Sequence, residues 1–167
     1  MNRIDGKVAV ITGGTQGLGA AIANLFAEAG ALGIVIVGRD QKKGETVASE
    51  ISKAYGIRAK MIAADFEKIE DVQRIIAETD NIFGRVDILV NSAGLTDRGN
   101  ILDTNPDLFN RMIAVNTRAP FFLIQDAAKI MIRENIEGRI VNIGSMSEQA
   151  GSLFCVLIQL QKVHLLP

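Results

Sequence analysis

Five short apolar runs punctuate the chain, at residues 8–11, 34–37, 59–63, 88–90 and 140–143, each the length of a buried strand. Between them the apolar positions recur at helical spacing. Leu18, Ile22, Leu25, Phe26 and Ala29 share one face, as do Ile69, Val72, Ile76 and Phe83, and a long helical segment is expected over 106–134. Strand and helix therefore alternate. That alternation predicts an α/β fold, a doubly wound parallel sheet joined by right-handed crossovers, with helices on both faces and ligands outside the carboxyl ends of the strands. No internal repeat, low-complexity tract or linker interrupts the pattern, and with only 3 prolines a domain boundary has no support.

The first strand breaks into a glycine-dense turn, TGGTQGLG, ahead of a helix-like stretch at 20–29. Gly13, Gly17 and Gly19 let the chain bend beneath a pyrophosphate, and the helix that follows offers free N–H groups and the positive end of its dipole to the anion. The spacing is Gly-x-x-x-Gly-x-Gly, which departs from the commoner Gly-x-Gly-x-x-Gly dinucleotide fingerprint, and Thr12 stands directly before it. A glycine-rich strand-to-helix turn that binds nothing is the plain alternative.

Composition narrows the partners. A chain of 167 residues that is 48% hydrophobic holds one domain with a real core. Its 18 basic and 19 acidic residues leave no bulk charge to hold nucleic acid or a membrane surface, so a phosphate ligand must be bound locally. Cys155 and His164, the sole residues of their kinds, do not make a metal ligand set. A single cysteine, and a first apolar run too short for a leader or membrane span, point to a reducing, cytoplasmic setting.

Two further motifs fall at expected strand ends and a third lies in a helix. Asn91-Ser92-Ala93-Gly94 brings small residues where a flat ligand could approach, and Asn91 can tie neighbouring strands together. Asn116 lies within the long helical segment four residues before Pro120, which lacks the N–H that would bond the Asn116 carbonyl. The fifth strand ends in Asn142-Ile143-Gly144-Ser145, which puts a hydroxyl at the same edge. Taken singly, Asp65 could cap the following helix, Ser145 could be a loop hydroxyl and Asn116 an ordinary helix residue. In order, at successive strand ends, TGGTQGLG, Asp65, NSAG, Asn116 and Ser145 resemble the short-chain dehydrogenase/reductase family over residues 1–151.

The resemblance implies a Rossmann-type fold and hydride transfer between a nicotinamide cofactor and a small alcohol, ketone, sugar or polyol. A ketone reductase acting on acyl-carrier substrates is the enzyme alternative, and a noncatalytic nucleotide-binding protein the alternative of another class. Ser145 matches the residue that holds the substrate oxygen. Asn116 matches the residue that anchors, through water, a lysine that binds the nicotinamide ribose. Asp65, with Phe66 after it, matches the position where a carboxylate meets the adenine. The cofactor set so implied is Gly13, Thr15, Gln16, Gly17, Leu18, Gly19, Arg39, Asp65, Phe66, Asn91, Ala93 and Gly94. Full-length relatives are expected as dimers or tetramers.

Cofactor choice rests on the end of the second strand, Val37-Gly38-Arg39. About 20 residues past the glycine turn, an acidic side chain binds a ribose 2′-hydroxyl and an arginine accommodates a 2′-phosphate. Arg39, with Gly38 leaving room, favours NADP(H). Asp40 stands next to it, and if Asp40 faced the ribose instead the cofactor would be NAD(H).

One departure from the family is decisive. The family spacing from Ser145 puts the proton-donating tyrosine at Ile158, and the sequence there reads Ile158-Gln159-Leu160-Gln161-Lys162. Lys162 matches the family lysine, while the tyrosine is absent. The sole tyrosine, Tyr55, sits before the third strand. Residues 1–152 are therefore expected to be a dinucleotide-binding domain whose sheet is truncated after its fifth strand, and residues 153–167 an aberrant, out-of-frame apolar tail, so that the chain is inactive. The genetic code permits this: shifting the frame by one base lets residues 151–167 read QPFLCAYSASKGALAT, which contains the missing Tyr-x-x-x-Lys. A short variant with its own tail is the alternative.

Overall fold

The computed structural model describes residues 4–96 and 102–144. Ser145, Cys155, Lys162, His164 and the whole 153–167 tail lie outside the described residues. In chain order the elements are β1 (Val8–Thr12), α1 (Gly17–Glu28), β2 (Gly33–Gly38), α2 (Gln41–Tyr55), β3 (Arg58–Ala63), α3 (Ile69–Phe83) and β4 (Ile88–Asn91). They continue with α4 (Pro106–Ile113), a π-helical turn (Ala114–Arg118), α5 (Ala119–Arg133) and β5 (Arg139–Asn142). The strands form one parallel sheet in the order β3-β2-β1-β4-β5, the Rossmann-type arrangement expected.

Strand alternation builds two cores. Val10, Val35, Val37, Ile62 and Leu89 point to one face, against Val72, Ile75 and Ile76 of α3 and Leu123, Ala127 and Met131 of α5. Their chain neighbours Ala9, Ile11, Ile34, Ile36, Ala59 and Val90 point to the other, against Ala23 and Ala27 of α1 and Ala48 and Ile51 of α2. A sheet buried on both faces needs apolar residues at successive positions, which is why β1 and β2 are buried throughout. Each fully buried Ile contributes about 2 kcal/mol by removal from water.

Helix α1 does not use the face its leucines mark. Leu18 is 57% and Leu25 53% exposed, and the buried stripe is Gly19, Ala23 and Ala27, flanked by partly buried Ile22 and Phe26. Small residues let the helix axis come close to the sheet, and close approach decides the face over bulk hydrophobicity. In α3 the expected face holds, with Val72 and Ile76 buried and Ile69 and Phe83 packed against the core.

At the amino ends of the strands Asp87 acts as a hub. Its buried carboxylate accepts from the Val8 N–H (2.9 Å), from Arg85 Nε and Nη2 (2.8 and 2.7 Å) and from Lys7 Nζ (3.3 Å). Its backbone bonds Val8 on one side and Arg139 on the other, so one residue registers β1, β4 and β5. Burial opposes its charge, but the Arg85, Val8 and Lys7 donors outweigh that and hold its pKa below the ordinary carboxylate value. Tyr55, which ends α2 against β3, stands at the edge of the sheet opposite β5. Among the described residues no helix is long and apolar enough to cross a membrane.

Candidate functional site

From β1 the chain moves outward to β2 and β3, then returns to the other side of β1 to build β4 and β5. The carboxyl ends of β1 and β4 therefore flank the crevice where the winding reverses. Thr12, Asn91 and Asn142 stand at one level in the registered sheet. A groove of about 370 Å³ opens above them. Gly13, Thr15, Gln16, Gly17, Leu18, Gly19, Arg39, Asp65, Phe66, Ala93 and Gly94, all expected from the sequence, line it.

Local packing explains the glycine turn. Gly13 has φ +68° and lies so close to the loop after β4 that a Cβ would stand 2.9 Å from the Ala93 nitrogen. A Cβ at Gly19 would collide with the Gly13 carbonyl, so the first turn of α1 rests directly on the loop before it. Gly17, at φ +55°, meets nothing within 4 Å and faces the groove. No side chain caps α1, and its first turn carries no carboxylate, which leaves its positive end available to an anion. Thr12, buried at the end of β1, accepts from the Ser92 and Ala93 N–H groups, both at 3.0 Å, and so fastens the glycine turn to the loop opposite.

At the end of β2, Arg39 and Asp40 part company. Asp40 caps α2, accepting from the Lys43 N–H at 3.1 Å, whereas Arg39 lines the groove. Gly38 lines the groove beside Arg39 and has a packing use as well: the space a Cβ would need is held by Thr15 Cγ2, 2.7 Å away. The glycine lets the turn pack on β2.

Asp65 does not cap the next helix, whose cap position is Lys68. Its Oδ1 accepts from the Glu67 N–H at 3.1 Å in a tight turn, and its own N–H donates to Asp71 at 2.8 Å. That backbone donor is the main cause of the lowered pKa of Asp71; burial opposes it, and Arg74 reinforces it. Arg74 in turn bonds Asp71, Glu78 and the Ala63 carbonyl, bracing the end of β3.

Asn91 ties strands together as anticipated, its Nδ2 donating to Asn142 Oδ1 at 2.8 Å, and it does not line the groove. Asn116 sits in the π-helical turn. Pro120 offers no N–H to continue the α-helical ladder, and the wider turn closes with the Ala119 N–H on the Ala114 carbonyl. The Asn116 side chain donates to the Leu95 carbonyl at 2.7 Å and accepts from the Leu95 N–H at 2.8 Å. Ser92, Leu95, Glu67, Val115 and Ile143 also line the groove without having been singled out from the sequence. Ser92, inside the NSAG motif, and Ile143, inside the Asn142–Ser145 motif, carried a sequence signal; the others reach the groove through the fold.

The short chain dehydrogenase family matches residues 7–156. Versicolorin reductase 1 of Aspergillus parasiticus is 40% identical over 140 residues, which cover 84% of this chain and 52% of that protein. The chain thus spans about half the length of the curated relatives it matches. Among solved structures, a putative short-chain alcohol dehydrogenase from Sinorhizobium meliloti superposes with a TM-score of 0.87 at 30% identity, covering 94% of this chain and 61% of the other. A 3-oxoacyl (acyl-carrier-protein) reductase from Agrobacterium tumefaciens with NADP bound gives 0.85 at 27% identity, over 94% and 59% of the two chains.

Proposed function

The chain belongs to the short-chain dehydrogenase family, and from that premise we propose that it is the dinucleotide-binding part of an NAD(P)-dependent oxidoreductase that prefers NADP(H). The observation that carries this reading is the groove at the reversal of the sheet, floored by the glycine turn and headed by the uncapped end of α1. The residues fit a dinucleotide. Gly17 leaves open space where a pyrophosphate would approach the backbone, and Arg39, which lines the groove, would pair with a 2′-phosphate while Asp40 is occupied as a helix cap. Asp65 and Phe66 line the groove and would meet the adenine, while Gly94 and Val115, which line it too, would lie toward the nicotinamide. When bound, the nicotinamide supplies or accepts the hydride.

The substrate class proposed is a small alcohol or carbonyl compound, with a cytoplasmic setting and the homo-oligomers of full-length relatives as part of the same reading. The acyl-carrier ketone is the second candidate, favoured by the likeness to the Agrobacterium reductase. Ser145 would hold the substrate oxygen and Lys162 matches the family lysine in place, but position 158 carries isoleucine where the proton donor is required. Loss of a general acid–base group costs about 10² to 10⁴ in rate. We therefore expect cofactor binding with little turnover, the behaviour of a nucleotide-binding protein without catalysis.

Two measurements test this together. NADPH fluorescence titration should show saturable binding, and a carbonyl panel should show turnover far below that of full-length relatives; reduction at their rate would overturn the assignment of the missing donor. Sequencing the gene across codons 140–167 tests the tail: a restored base that yields Tyr-Ser-Ala-Ser-Lys supports a shifted frame, and no such string in any frame removes it.

A further inference from the structure

The π-helical turn reaches both walls of the groove. Val115 lines it, Asn116 holds Leu95 on the wall that follows β4, and Arg118 extends the other way, its Nη2 donating to the Glu67 carbonyl at 2.6 Å on the wall that follows β3. About two turns earlier, in α4, Arg111 pairs through Nε with the Glu67 carboxylate at 3.0 Å. Both arginines therefore grip one residue of the loop that carries Asp65. The grip matters because that loop is a tight turn closed by the Glu67 N–H on Asp65 Oδ1 and the Lys68 N–H on the Asp65 carbonyl. Fixing Glu67 fixes the direction of the Asp65 carboxylate.

We infer that Arg118, assisted by Arg111, is a positioning residue for nucleotide binding: it reaches from the π-helical turn to Glu67 and sets the place of the Asp65 wall without itself lining the groove. Pro120, just past the widened turn, withholds the N–H that would have bonded the Asn116 carbonyl, and from that turn Asn116 reaches one wall and Arg118 the other. The inference rests on the reading of the groove as a nucleotide site. A role in folding alone is distinguishable from it. The Arg118 Nε is buried without a partner, so replacing the side chain removes an unsatisfied donor as well as one bond, and the fold should survive.

The test compares the full chain with Arg118→Met and Arg118→Lys, using 2′,5′-ADP as the adenosine-end probe and amide hydrogen exchange as a readout that needs no ligand. Arg118→Met should weaken 2′,5′-ADP about tenfold and speed exchange at Glu67 and Lys68 by a similar factor, with the β1 amides unchanged; Arg118→Lys, which keeps one donor, should recover most of both. Unchanged affinity together with unchanged exchange at Glu67 and Lys68 overturns the inference, as does a loss of thermal stability with affinity unaltered. If the parent chain does not bind 2′,5′-ADP, the nucleotide reading of the groove fails, and the exchange data alone decide whether Arg118 positions the loop. Should Arg118→Met not fold, Arg111→Gln at the exposed ion pair is read the same way: two- to threefold weaker binding supports the inference and none contradicts it.

Discussion

Asn116 and Leu95 exchange two hydrogen bonds, 21 residues apart in sequence, so that a side-chain amide mimics a strand rung against the Leu95 peptide. The pair fastens the loop after β4 to the π-helical turn beside the groove. Asp at position 116 would keep the acceptor and lose the donor, placing a carboxylate against the Leu95 carbonyl. Asn116→Asp is expected to cost about 2 kcal/mol in urea unfolding and to weaken NADPH. Unaltered stability would mean that the loop holds itself.

A methyl group at Gly13 meets two obstacles at once, the positive φ and the Ala93 backbone. Gly13→Ala should therefore destabilise by about 2 to 3 kcal/mol. Gly17→Ala has the same dihedral problem but open space around it, so its cost should be about 1 kcal/mol, with the added methyl obstructing the phosphate. Calorimetry separates the two, and equal losses would argue against the packing of the turn on the β4 loop.

Asp87 sets an acid limit on the fold. Its folded pKa lies below the ordinary 3.8, so the unfolded chain takes up the proton first as pH falls. Stability is therefore present in full above pH 4 and drains away as the pH drops through the folded value. Asp71 and Asp80, also lowered, add to the same slope. Asp87→Asn should lose about 2 kcal/mol at neutral pH, a modest figure because Arg85 and Lys7 are partly open to water and can rehydrate. It should also flatten the acid limb of a pH–stability curve, and an unchanged limb would assign the acid sensitivity elsewhere.

Much of this was legible in the sequence because parallel sheets write themselves as short apolar runs. The glycine turn, NSAG and Asp65 each mark a strand end, where backbone must bend. The exposed face of α1 was not legible: Leu18 and Leu25 obey helical spacing, but the sheet selects Gly19, Ala23 and Ala27 for their small size. Arg118, Glu67 and Leu95 left no trace either, since each acts through a contact 21 or 51 residues away that only the fold creates. The Arg39 and Asp40 pair was readable as a choice, and local capping separates them.

The groove is proposed to take a phosphorylated dinucleotide. Titrating the chain and its Arg39→Gln variant with NADPH and NADH, followed by cofactor fluorescence, tests it most directly. NADPH should bind the parent chain at least tenfold more tightly than NADH, and Arg39→Gln should erase that difference by weakening NADPH alone. Equal affinity for the two cofactors in the parent chain, or no binding of either, would contradict it.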